Sequence, residues 1–307
     1  MDFEAPRRLV RALAEGDGTQ DDTRWLDGLP ELFARTVDRA GLGVERVVAP
    51  GGRGSLVVLV HLPDGTPAAL KLAPPSAATG HERTALESWD GSGAVRFLAP
   101  VAGPDGGPEA GLLLERLHPE VSVRSLPEAK AILEAAGTLR RLWVEPPAGH
   151  GLGTVEDRTA AQAGRLRAAA ESDEVVAPLI AAALAVREEL LAAPESETFL
   201  LHGCFHQGKV LAGDRAPWLA VGPAPLVGER AYDLARLARD RAEDLVATTA
   251  GPSTARRRVG RLADSLDLDR DRVLGWTLFR TVTAAVSALR AGRAREAEPL
   301  LEFASWL

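Results

Sequence analysis

The hydrophobic pattern of this 307-residue chain changes period once, and that change constrains the fold more than any other feature. Up to about residue 117 the apolar residues fall mostly in short β-type runs. SLVVLVHL (55–62) and PAALKLA (67–73) flank Pro63-Asp64-Gly65-Thr66 and read as a hairpin. VRFLAPV (95–101) and AGLLLERL (110–117) read as two further strands, separated by a turn-rich segment in which Asp105 and Glu109 are expected to be solvated. Helical spacing interrupts at 29–40, stopped by Gly41, and at Thr79–Trp89, stopped by Asp90-Gly91. From Pro127 onward helices dominate, at 126–143, 156–170, 173–192, 231–246, 253–266 and 269–291, with a last one near the end. One β-like interlude lies at 198–222. The expectation is an α+β chain of two lobes: a β-rich lobe over 1–117 with leading helices, and a helical lobe over 118–307.

Charge and composition exclude several classes. A formal charge of −7 with no basic stripe argues against general nucleic-acid binding. The most apolar charge-free stretch of helical character, residues 175–186, is too short to span a bilayer and contains Pro178, so no membrane partner is expected. MDFEAPRRLV lacks the apolar core of a secretory signal, and a cytoplasmic location is expected. The single cysteine, Cys204, excludes an internal disulfide framework and a multi-cysteine zinc site.

Only three of the 36 basic residues are lysines: Lys71, Lys130 and Lys209. A chain this rich in arginine keeps lysine where a compact ammonium is wanted, and Lys130 in the polar run LPEAKAILEAAG has no such context. Lys71 sits inside an apolar strand, which requires either an edge position or a buried partner. Glu82, eleven residues later on the next helix, is the candidate partner. A strand lysine paired with a helix glutamate is how kinases hold nucleotide phosphates. Upstream, Gly51-Gly52-Arg53-Gly54-Ser55 opens the preceding strand, where Gly52, Gly54 and Ser55 can lay backbone N–H groups over phosphates.

LLHGCFHQGKVLAGDRAPWLAVGPAPLVGERAYDLARL then resembles the catalytic segment of the aminoglycoside-type phosphotransferases, in the branch of streptomycin and hydroxyurea resistance kinases. The family pattern runs roughly L-H-G-D-x-H-x-x-N-V-L, then P-W-L-A-I-D-P-K-P, then V-G-D-P-A-Y-D-L-A. DGTPAALKLAPP, HERTALESWDG and GLLLERL resemble the same branch's amino-terminal lobe. The resemblance implies a bilobal, protein-kinase-like fold with a small-molecule ligand in the cleft between lobes. It implies a hinge at Glu115–Leu117, whose backbone receives an adenine edge, and an acceptor region containing Trp276 and Arg280, four apart on one helix face; core packing is the commoner role for such a tryptophan.

This sequence departs from the pattern at the residues that carry the chemistry. Cys204 stands where the family has its catalytic Asp, Lys209 where it has a magnesium-binding Asn, Gly222 where it has the main metal-binding Asp, and Ala224 where it has a Lys. His202, Gly203, His206, Tyr232 and Asp233 match the family's loop-shaping residues. Phosphoryl transfer rests on positioning and on metal charge at the γ-phosphate, so these changes point to a pseudokinase. It would bind a small molecule, a nucleotide or a pathway protein in secondary metabolism.

Three details stay open at this level. Lys209 either clamps nucleotide phosphate, so that ATP is held without magnesium, or is a loop charge paired with Glu229 or Asp233. Cys204, near His206 and Lys209, is either a packing residue or a nucleophile with a lowered pKa. The competing functions are an enzyme reusing the kinase cleft for other chemistry, and a residual antibiotic-resistance kinase whose metal is held by Glu229 or Asp233.

Overall fold

The computed structural model describes residues 4–15, 19–103, 109–192, 198–248 and 250–307, and Asp105 lies outside them. The chain packs as two compact units: Met1–Ser122 with Leu211–Ala224, and Val123–Val210 with Pro225–Leu307.

The first unit opens with α1 (Arg7–Glu15) and α2 (Gln20–Ala40). Thr19 and Asp22 form a reciprocal capping box that starts α2. A five-stranded antiparallel sheet follows, from β1 (Gly43–Val47), β2 (Leu56–His61), β3 (Pro67–Leu72), β4 (Phe97–Val101) and β5 (Gly111–Glu115), in the order β1-β2-β3-β5-β4. Alternate residues of β2 and β3 (Leu56, Val58, Val60, Ala68, Leu70, Leu72) share a buried cluster with Leu9 of α1 and Leu29 and Phe33 of α2. The period-two rule therefore turns Lys71 to the sheet's other face. There, α3 (Thr79–Trp89), inserted between β3 and β4, packs on β4 and β5.

Strand β5 runs so close to β3 that a Cβ on Gly111 would lie 2.1 Å from the Lys71 carbonyl oxygen. A shorter sheet pairs β6 (His118–Ser122) with β8 (Val210–Ala212), followed by β9 (Leu219–Ala220). This pairing groups 118–122 and 211–224 with the first unit, whereas the sequence pattern places everything after residue 117 in the second lobe. β1 (GVERV) and β6 (HPEVS) escape a periodicity search because neither contains an apolar run.

The second unit comprises α4 (Glu128–Leu142), α5 (Val155–Ala170), α6 (Ala177–Ala192), β7 (Phe199–Leu201), β10 (Leu226–Gly228), α7 (Arg230–Ala238), α8 (Ala242–Val246), α9 (Gly251–Ser265), α10 (Arg270–Arg290) and α11 (Ala294–Ser305). Helix α10 is its axis and packs against α6, α7, α9 and α11. It buries Trp276, Phe279, Val282 and Val286. The single helix expected at 231–246 is two, because Arg241 adopts φ +58 before α8 and Asp240 is drawn into a hydrogen-bond network. Among the described residues no helix is long and apolar enough to cross a membrane.

Candidate functional site

In the first unit, Lys71 and Glu82 meet as the spacing requires. Their side chains form an ion pair, the lysine 12% and the glutamate 3% exposed. Glu82 Oε1 is buried without a hydrogen-bond partner, so the carboxylate is only half satisfied by the protein. Ahead of β2, Gly52 and Gly54 are exposed and Ser55 is half-buried, in a stretch without regular structure. At the proposed hinge the Glu115 carboxylate is held by Arg215 (Nε–Oε1 and an Nη–Oε2 bond, both 3.0 Å) and accepts the Arg96 N–H. Leu117 is buried, within 2.8 Å of where a Cβ on Gly213 would lie. Glu109, expected in solvent, is instead partly buried and paired with Arg83 at 3.3 Å; burial pushes its carboxyl above the usual range. Gly222, on the 211–224 segment, has φ +59 and offers no side chain.

In the second unit the loop after β7 carries His202 to Lys209. Gly203 makes the turn with φ +77, a conformation that a side chain disfavours. Asp233, in the first turn of α7, accepts the N–H groups of His202 (2.8 Å) and Gly203 (2.9 Å). Arg280 of α10 braces the same turn, donating to the Gly203 carbonyl (2.8 Å) and the Tyr232 carbonyl (2.7 Å), with its guanidinium 4.2 Å from the centre of the Tyr232 ring. A 3-10 turn at Gln207–Lys209 follows, and the Gly208 N–H donates to His206 Nδ1 at 3.1 Å.

Cys204 and Lys209 face each other across this loop. Lys209 Nζ lies 2.7 Å from Cys204 Sγ, and His202 Nδ1 lies 3.8 Å from the same sulfur. Burial alone raises a thiol's pKa. Here the Lys209 charge and the His202 and Lys209 hydrogen bonds outweigh it and bring Cys204 down to about 5. His206 is pushed the other way from protonation: burial first, then Arg236, Lys209, His202 and Arg239, hold its imidazole down to about 2. It is a neutral hydrogen-bond acceptor, without the charge a general acid needs near pH 7.

The sequence alternatives for Lys209 fail on geometry. Asp233 spends its two carboxylate oxygens on loop amides. Glu229 is bound by the Arg272 guanidinium at 2.6 and 2.7 Å and by Trp276 Nε1 at 2.5 Å. Both carboxylates are buried. Trp276 is fully buried, edge-on to Tyr232 and Phe279. Of the two roles open to it, acceptor-pocket aromatic or core residue, Trp276 takes the second, while Arg280 braces the loop.

The residues present do not fit the magnesium ion that the resemblance implies. An ammonium has no lone pair to offer a metal, Cys204 is already paired with it, and Gly222 has no donor side chain. Glu229 and Asp233 are committed elsewhere. Among the described residues no group of three or more His, Cys, Asp or Glu could hold a metal ion.

Sequence reasoning missed the second support of the loop. Asp240 accepts the Gln207 N–H at 2.6 Å and pairs with Arg236 at 2.8 Å, while burial raises its carboxyl above the usual range. Arg241 donates to the Gln207 side chain at 3.0 Å. The one available signal was the Arg236–Asp240 spacing, common to any solvated helix face.

The pattern of the aminoglycoside/hydroxyurea antibiotic resistance kinases matches residues 40–292. The chain belongs to this family. It is 34% identical to a streptomycin 6-kinase of Streptomyces glaucescens, with 95% of this chain and 92% of the relative aligned. It is 36% identical to a hydroxyurea phosphotransferase of Kitasatospora aureofaciens, covering 91% and 78%. In fold it is similar to the aminoglycoside phosphotransferase APH(4)-Ia, with a TM-score of 0.63 at 15% identity, over 90% of this chain and 97% of that one. The kinase-family fold is thus shared, with a thiol and an ammonium paired on the 202–209 loop.

Proposed function

We propose that this member of the resistance-kinase family is a pseudokinase: it binds a small molecule, a nucleotide or a pathway protein and does not transfer phosphate from Mg·ATP. The observation that carries the reading is the 2.7 Å Cys204–Lys209 pair. By the resemblance these are the positions of the general base and of a metal ligand. Losing a general base alone costs about 10²–10⁴ in rate. A resident ammonium adds repulsion of the divalent ion on which phosphoryl transfer depends. Lys71 and Glu82, in contrast, keep the arrangement that suits nucleotide phosphates. By analogy with relatives named for streptomycin and hydroxyurea, the ligand is a polar, hydroxyl- or amide-bearing small molecule of secondary metabolism.

Two measurements test this reading. Radiolabelled transfer from ATP to streptomycin or hydroxyurea is expected to stay at background with magnesium present. ATP and ADP, tested by thermal shift, are expected to act equally in magnesium and in EDTA; a ligand at a hundred times its Kd adds about 2.7 kcal/mol of stability. Transfer at ordinary kinase rates, of order 1–100 per second, overturns the reading. A nucleotide shift that requires magnesium does the same.

A further inference from the structure

Cys204 is the only cysteine of the chain, and the residue is half-buried. It belongs to a cluster: the Lys209 ammonium at 2.7 Å, the His202 imidazole at 3.8 Å, and a backbone turn fixed from both sides by Asp233 and Arg280. His206, two residues on, is held neutral chiefly by burial, with Arg236, Lys209, His202 and Arg239 adding to the effect. The Lys209 ammonium at 2.7 Å favours an anion at its side, and the side chain of the cluster able to supply it is the Cys204 thiolate.

We propose that the Cys204–Lys209–His202 cluster is an oxidation site at which Cys204 reacts with hydroperoxides. The thiolate attacks the terminal oxygen of the peroxide. The S–O bond forms, the O–O bond breaks, and the sulfur is oxidised by two electrons while the peroxide is reduced to water or an alcohol. The departing oxygen takes a proton from the Lys209 ammonium, which recovers one from solvent. With no second cysteine in the chain, the sulfenic acid cannot close an internal disulfide, and an external thiol returns it to the thiol by way of a mixed disulfide. Oxidation removes the thiolate charge that faces the Lys209 ammonium. This proposal is independent of whether the protein transfers phosphate, and its test uses neither nucleotide nor metal.

The test is the pH dependence of the reaction with hydrogen peroxide, trapped with dimedone and read by intact-protein mass, where a single adduct reports one residue. A thiol with a pKa of about 5 is roughly three-quarters ionised at pH 5.5 and almost fully ionised at pH 7.5. The rate should then differ by less than about twofold between them, whereas an ordinary thiol near pKa 8.5 slows by about 90-fold over the same interval. Lys209→Met should convert the flat profile into the steep one, and Cys204→Ser should abolish the adduct. A steep profile in the unaltered protein, or no adduct at either pH, overturns the proposal without reliance on any variant.

Discussion

Replacing Asp233 with alanine tests whether the 202–209 loop is held from beneath by one buried carboxylate. Asp233 is fully buried and accepts two backbone N–H groups at 2.8 and 2.9 Å. A hydrogen bond to a charged group contributes about 1.5–3 kcal/mol, so the pair accounts for about 3–6 kcal/mol. Desolvation of the buried carboxylate in the native state offsets part of this, which favours the lower half of the range, about 3 kcal/mol. At about 2–4 °C per kcal/mol for a unit of this size, the melting temperature should fall by roughly 6–12 °C. Asp233→Asn keeps one acceptor oxygen but turns an amide donor toward the second N–H, and should lose less than alanine does. Urea unfolding gives the free energies, and calorimetry the melting shift. A loss below about 1 kcal/mol for Asp233→Ala would refute the reasoning, because two orphaned buried donors cannot be that inexpensive.

Further outcomes follow from other contacts. Lys71→Met leaves the Glu82 carboxylate buried without its cation and should cost about 3–5 kcal/mol, with Lys71→Met/Glu82→Gln recovering much of it in a double-mutant cycle. Trp276→Ala should cost about 3–5 kcal/mol by unfolding, as a core residue does, with the Glu229–Arg272 pair losing its indole donor. Gly111→Ala forces β5 away from the Lys71 carbonyl, and the soluble, folded yield should fall sharply relative to the neighbouring substitution Leu112→Val. For pH, the folded Cys204 titrates at about 5 and an unfolded thiol near 8.5, so between these values the native state binds one proton fewer. Stability from this group is complete above about pH 8.5 and is lost as pH falls through about 5, at up to about 1.4 kcal/mol per pH unit. The difference between unaltered protein and Cys204→Ser in urea unfolding from pH 5.5 to 8.5 should show that slope; parallel curves would mean the thiol is not ionised.

The sequence by itself determined most of the element order, the 55–73 hairpin, the Lys71–Glu82 pairing and the family. These are local or motif-borne: strand alternation, a turn tetrapeptide, an eleven-residue spacing, and a run of matched residues around 200–237. Through the family resemblance it also raised the expectation that Cys204, Lys209 and Gly222 stand where the family has polar residues. What it left open was which charge meets which. Glu229 and Asp233 looked available to Lys209 or to a metal until the fold gave Glu229 to Arg272 and Trp276, and Asp233 to two backbone amides. Trp276 and Arg280 share a helix face, yet one is sealed in the core and the other braces the Gly203 turn 77 residues away in sequence. Likewise, only strand pairing drew 118–122 and 211–224 together. Periodicity reports which face of an element is buried, whereas the partner waiting on that face is fixed by packing between distant segments, and there the Cys204–Lys209 pair was decided.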